Sequence, residues 1–169
     1  MMGSRKLLIF GGMAFAAVGM LYGLQYALLV EHQTLDQMGG SLAQAFTAAA
    51  SRNPGQAQAA LEQYGETKYD YVRQVDAHSH WIGLAMLMMV LGVIFERVNF
   101  SEAIRQLVAF SLLAGSALFP LAVIVQTYHH GAVVLQALAV IGSGLVIAAL
   151  AATAWGFARP RTTVSDAMV

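Results

Sequence analysis

The chain has no cysteine and few charged residues. The absence of cysteine among its 169 residues excludes disulfides, iron–sulfur clusters, thiolate metal sites and covalently attached c-type haem. Only 11% of the residues are charged and 58% are hydrophobic, and a mean hydropathy of +0.62 is typical of proteins embedded in lipid. Neither a Gly-rich phosphate loop nor a nucleophile–base pairing is present, and we expect no nucleic-acid partner.

The sequence contains long uncharged runs. A helix needs roughly 20 apolar residues to cross about 30 Å of hydrocarbon, and backbone groups in lipid must be satisfied within the segment. Four runs meet this length, at residues 7–30, 77–95, 107–127 and 131–157. The sequence therefore predicts an all-α protein, an integral membrane four-helix bundle that forms a single domain over residues 1–169, with the lipid bilayer as its surroundings.

Residues 31–76 lie between the first two runs and have a helical pattern of their own. Apolar residues recur there at spacings of three and four, at Leu35, Met38, Leu42, Phe46 and Ala49. Asn53-Pro54-Gly55 then predicts a turn, with proline suited to the first turn of the next helix. We expect an extracytoplasmic helical insert, a hairpin lying over the outer end of the bundle.

The basic residues predict the orientation. With four crossings, residues 1–6, 96–106 and 158–169 share one side of the membrane, and they hold six of the nine lysines and arginines. The positive-inside rule places that side in the cytoplasm. We therefore expect an integral protein of a bacterial inner membrane, with both termini in the cytoplasm. Residues 31–76 and all five histidines would then lie on the outer side.

Four of the five histidines lie at the ends of two apolar runs. His78 and His80 begin the second run, and His129 and His130 end the third, so the topology puts both pairs on the same side. Imidazole is a common ligand of haem iron, copper and zinc. On a helix, positions 78 and 80 are about 200° apart and positions 129 and 130 about 100° apart, so one ligand from each pair is expected.

This spacing leaves several kinds of site open. His80 with His129 or His130 would hold a b-type haem between two helices, with Gly83 and Gly131 leaving room for the flat macrocycle. A copper or zinc site would combine the four histidines with an acid, either Asp76 or Glu31. Asp76 is also placed to accept a hydrogen bond from a ligand imidazole. Alternatively, histidines at a membrane interface bind only headgroups, loop backbone or water.

The segment that begins Ala77-His78-Ser79-His80, contains Gly92 and ends at Glu96-Arg97 resembles a known helix. It is similar to the His-Ala-His helix of small four-helix membrane proteins that resemble a fragment of the haem-copper oxidase catalytic subunit. The resemblance implies that His80, or His78, ligates a low-spin haem. The copper-ligand motifs of the larger family are not reproduced, since Tyr128-His129-His130 stands alone at the end of a run.

Three functions follow as hypotheses. The first is a membrane subunit that binds haem b near the outer face, with an accessory or electron-transfer role in a respiratory-type complex. The second is a non-catalytic assembly or scaffold subunit that docks on other membrane subunits, or on copies of itself, through small-residue stripes such as Gly12, Ala16, Gly19 and Gly23. The third is a subunit with copper or zinc at the outer face. No charged residue lies in the middle of a run, which argues against a transporter.

Overall fold

The chain folds into five α-helices. The structure is a computed structural model that describes residues 3–129 and 131–160. In chain order the helices are α1 (Ser4–Leu29), α2 (Glu31–Ala50), α3 (Pro54–Ile94), α4 (Glu102–Tyr128) and α5 (Val133–Ala158). A short 3-10 helix, Phe95–Arg97, follows α3. The predicted all-α class is confirmed.

Four of these helices are long and apolar enough to cross a membrane. They are α1, α4, α5 and the continuous stretch from α3 through Arg97. The second apolar run, 77–95, occupies only the C-terminal part of α3, which has 41 residues and extends about 60 Å at about 1.5 Å per residue. Helix α3 therefore passes without a break from the polar insert into the apolar run.

The long helices pack as two pairs, α1 with α3 and α4 with α5, and α3 joins the pairs by packing on α4. Small residues allow the close approach. A side chain at Gly12 would meet the backbone of Ala85 in α3, and one at Gly115 would meet the carbonyl oxygen of Gly142 in α5. The small-residue stripe of α1 is therefore used inside the molecule, where it lets backbones approach closely and gain dispersion energy.

The start of α1 and the start of α4 lie together, and a carboxylate joins them. We call this end of the bundle the amino-terminal end. Gly3 provides no side-chain cap for α1, and Glu102 of α4 accepts the hydrogen bond from the Ser4 N–H at 2.8 Å instead. Arg105 also lies 2.8 Å from the Glu102 carboxylate. The Ser4 N–H, followed by Arg105, lowers the pKa of Glu102, because both interactions favour the charged form.

Residues 31–76, which we call the arm, consist of α2 and the N-terminal part of α3, and α2 packs on α3. The turn between them ends as the sequence predicts: Asn53 accepts a hydrogen bond from the Gln56 N–H at 3.2 Å, and Pro54 begins α3. At the base of the arm, the Tyr71 hydroxyl donates to Glu31 at 3.2 Å. That hydrogen bond to a carboxylate raises the pKa of Tyr71.

The face of α2 that packs on α3 includes only part of the apolar stripe, since Met38 and Leu42 are partly buried. The buried residues of α2 are Ser41, Ala45 and Ala48. Within the stripe, Leu35 remains 46% exposed and Phe46 remains 74% exposed. The buried residues lie on one face of α2, and their small side chains permit a short distance between the axes of α2 and α3. Leu35 and Phe46 are left uncovered.

Candidate functional site

His78 lies between α1 and α3. Its Nδ1 is 3.0 Å from the carbonyl oxygen of Gly19. A carbonyl oxygen can only accept, so Nδ1 carries the proton. The ring also fills the space beside Gly23, where an added Cβ would overlap the imidazole. His78 therefore joins α1 to α3, and Gly23 is the residue that makes room for it.

His80 lies on a different face of α3, as the angle of about 200° between the two positions predicts. Its Nδ1 is 2.6 Å from the main-chain oxygen of Asp76, so Nδ1 is the donor and the neutral ring keeps its lone pair on Nε2. The ring contacts Phe119 of α4 edge-on, with centroids 4.9 Å apart and planes at 89°. The acceptor at Asp76 is thus its backbone, whereas the sequence suggested its carboxylate.

An open groove runs along this face of α3, and we call it the His80 groove. It encloses about 280 Å³ and is lined by Ser79, His80, Gly83, Leu84 and Leu87. Nothing stands within 4 Å of the position that a Cβ on Gly83 would take. Sites that enclose a small ligand span roughly 300–1,000 Å³, so this groove could seat part of a flat ligand and leave the remainder to lipid or to a neighbouring protein.

His129 is the C-cap that follows α4, and it is exposed. Its N–H bonds to the oxygen of Val125 at 3.2 Å, and its own oxygen accepts from the N–H of Ala132 at 3.3 Å. Gly131, with a positive φ of 79°, then reverses the chain. A second cavity, of about 410 Å³, lies between Gly131 and the Gly65, Glu66 and Tyr69 segment of α3. His130 lies outside the described residues, and its role as a ligand stays a prediction.

The structure does not bring His80 and His129 together. His80 is level with Phe119, and His129 lies ten residues beyond Phe119, which is about 15 Å along a helix axis. The register of the two helices explains this separation. The Gln74 amide donates to the Thr127 hydroxyl at 2.9 Å, so α4 continues beside α3 well past His80. Matched depth, which a bis-histidine haem held by these two residues requires, is absent.

The remaining predicted ligands also lie apart. Among residues 3–129 and 131–160, no group of three or more histidine, aspartate or glutamate side chains could hold a metal ion. Glu31 accepts from Tyr71, and His78 faces α1. Within the described residues, neither His78 nor His129 shares a site with His80.

Sequence reasoning missed the uncovered apolar side chains of the arm. The spacing places Leu35 and Phe46 in one apolar stripe, and their exposure depends on which face of α2 meets α3. The one available signal was the adjoining run of small residues at Ser41, Ala45 and Ala48. Such a run favours close helix packing and competes with the larger apolar residues for the interface.

Comparison with known proteins identifies no relative. No family model, no curated protein and no solved structure matches the chain. The resemblance of the helix containing His78 and His80 to proteins related to the haem-copper oxidases therefore stays a prediction.

Proposed function

We propose that the protein is a non-catalytic subunit of a larger membrane complex, inserted by four helices and holding the arm outside the bilayer for a partner protein. The observation that carries this proposal is the uncovered apolar face of α2. Leu35 and Phe46 are 46% and 74% exposed on a helix that is not among the four that are apolar enough to cross a membrane. Apolar side chains left open to water in this way mark protein interaction surfaces when they share one face.

The arm is built to keep a defined direction. Helix α3 is unbroken from Pro54 to Ile94, so no hinge separates the arm from the apolar run. The Tyr71–Glu31 hydrogen bond ties α2 to α3 where the arm begins, and the Gln74–Thr127 hydrogen bond ties α3 to α4 one turn later. A partner bound to the arm would be held at a set position relative to the membrane helices, which is the task of a scaffold.

The charges of the arm indicate the chemistry of the partner. Residues 31–76 carry six acidic and three basic side chains. Helix α2 itself contains Glu31 and Asp36 and no lysine or arginine. Complementary charge favours association and the correct register between proteins. The surface on α2 therefore suits a protein segment that presents apolar side chains flanked by lysine or arginine.

The orientation is part of the proposal. Six of the nine basic residues lie on the side of the termini, which supports termini in the cytoplasm and an arm on the outer side of the membrane. We propose that this membrane is a bacterial inner membrane. Cysteines introduced at Gly55, in the arm, and at Ser165, outside the described residues, test it with an impermeant thiol reagent on intact cells. Labelling at Gly55 alone is expected, and labelling at Ser165 alone would reverse the orientation.

The docking surface is tested by a photo-crosslinking amino acid placed at Phe46 in the native membrane. Gln44, two residues away and on another face of α2, is the matched control. We expect one adduct of reproducible mass from position 46, none from position 44, and loss of the adduct when Asp36 is replaced by lysine. An adduct with the mass of two copies would assign the surface to self-association, and equal adducts from both positions would refute it.

The tautomer of His80 favours haem binding as a second candidate function. The backbone of Asp76 holds the Nδ1 proton, so Nε2 is left with its lone pair at the edge of a groove that Gly83 keeps open. Haem b there would give the subunit an accessory or electron-transfer role. The second axial position would be filled by His130 or by a ligand from a partner subunit. Copper or zinc would likewise need ligands from elsewhere.

The spectrum of the purified chain decides between these functions. A Soret band that is lost in His80→Ala and kept in His32→Ala, a control on the exposed surface of the arm, would support haem. Copper or zinc bound at one equivalent per chain and lost in His80→Ala would support the metal variant. A colourless, metal-free protein that still forms the position-46 adduct is what the scaffold proposal expects.

A further inference from the structure

We propose that a groove at the amino-terminal end binds the headgroup and upper acyl chain of an anionic phospholipid. The groove encloses about 480 Å³ and is lined by Gly3, Arg5, Lys6, Ile9, Phe10 and Glu96. It lies between the start of α1 and the 3-10 helix that follows α3, far from the arm and from His80. The inference goes beyond the proposed function and needs only that the helices are inserted in lipid.

The charges at the mouth of the groove favour a phosphate. The groove is lined by two basic side chains, Arg5 and Lys6, and by one acidic side chain, Glu96. Arg5 pairs with Glu96 at 3.4 Å, but both side chains are about half exposed or more, so the pair is weak and leaves Arg5 able to turn to another anion. Lys6 is exposed, with no hydrogen bond or ion pair to any residue in the described part of the chain. An anion at the mouth would therefore contact two cationic groups.

The inner lining favours a lipid over free phosphate. Ile9 and Phe10 follow Lys6 by about one turn of α1, and Phe10 is 58% exposed. The groove thus changes from cationic to apolar along the direction in which α1 enters its apolar run. A phospholipid has the same order, with phosphate at the surface and hydrocarbon below. Anionic lipids attract basic residues beside a membrane helix by about 1 kcal/mol per residue.

The test is native mass spectrometry of the full chain released from detergent with added phosphatidylglycerol or phosphatidylcholine. We expect retention of phosphatidylglycerol over phosphatidylcholine. Lys6→Gln should weaken retention about fivefold, which is about 1 kcal/mol. Glu96→Gln should strengthen it, because it removes the acidic group at the mouth and frees Arg5. Arg97→Gln is the matched control, since Arg97 is an exposed basic residue at the same end that does not line the groove.

Lys6→Gln and Glu96→Gln should change the retention of phosphatidylglycerol in opposite directions. Loss of folding would lower retention in both variants, so the comparison separates a change in binding from a loss of folding. Equal retention of the two lipids would overturn the proposal, and so would an equal loss in Arg97→Gln. Displacement of phosphatidylglycerol by inorganic phosphate with no effect of Phe10→Ala would identify a phosphate site in place of a lipid site. A failure of the arm to crosslink would leave this result unchanged, so the two proposals fail separately.

Discussion

Gly23→Ala is expected to destabilise the protein through His78. Alanine normally stabilises a helix relative to glycine by about 0.5–1 kcal/mol. At position 23, however, the new methyl group would overlap the His78 ring and force it away from the Gly19 carbonyl oxygen. The change therefore combines an overpacked contact with the loss of a hydrogen bond between α1 and α3.

The magnitude follows from these contributions. Overpacking a well-packed site costs about 1–3 kcal/mol, and a hydrogen bond between membrane helices contributes about 0.6 kcal/mol. After subtraction of the helix-propensity gain, the net loss in the free energy of unfolding is about 1–3 kcal/mol. Gly144→Ala is the matched control, because an added Cβ at Gly144 in α5 meets open space. It should leave stability unchanged or raise it by up to about 1 kcal/mol.

The assay is reversible unfolding in mixed detergent micelles, followed by circular dichroism. The sharpest comparison uses His78→Ala as a background, since removal of the imidazole also removes the overlap. In that background Gly23→Ala should become neutral or stabilising, so its effect changes sign. A loss of more than about 1 kcal/mol from Gly23→Ala that persists without His78 would refute the proposed contact.

Three further predictions concern other parts of the fold. Asn53→Ala should cost about 1 kcal/mol of stability by removing the cap of α3 at the tip of the arm, detectable as faster amide exchange in residues 55–58. Gly131→Ala should cost about 1–2 kcal/mol in the unfolding assay, because the positive φ there is unfavourable for a side chain. The lowered pKa of Glu102 means that its contribution to stability is present above the unfolded pKa and is lost as pH falls through the folded pKa. The stability of Glu102→Gln should therefore depend less on pH in the acidic range than that of the unsubstituted protein.

Much of the fold could be predicted from the sequence because long apolar runs restrict the backbone to few structures. In lipid, a long uncharged run must pair its backbone N–H and C=O groups within itself, and a helix does so. Four long apolar helices are present. The start of α3 could also be predicted, because Asn53 caps the helix and Pro54 suits its first turn, and both effects depend only on neighbouring residues. In contrast, periodicity could not identify which face of α2 packs on α3, because the choice depends on the surface that the partner helix offers.

The candidate site was predictable only in part, for a related reason. Side chains at positions i and i+2 of a helix must point in different directions. The separation of His78 from His80 follows from that geometry. The offset between His80 and His129 depends on how far α3 and α4 slide along each other. That register is set by contacts such as the Gln74–Thr127 hydrogen bond, which neither helix encodes by itself.

The size of the assembly extracted from native membranes in a mild detergent tests the central claim most directly. The unsubstituted chain should migrate in a complex much larger than one 18.0 kDa subunit with its detergent. Phe46→Asp should release the chain as a single subunit with its helical content intact, because Phe46 is 74% exposed and supports no core contact. Gln44→Asp should leave the complex whole. An unsubstituted chain that migrates alone, or a complex that survives Phe46→Asp unchanged, would contradict the proposal that the arm is a docking surface.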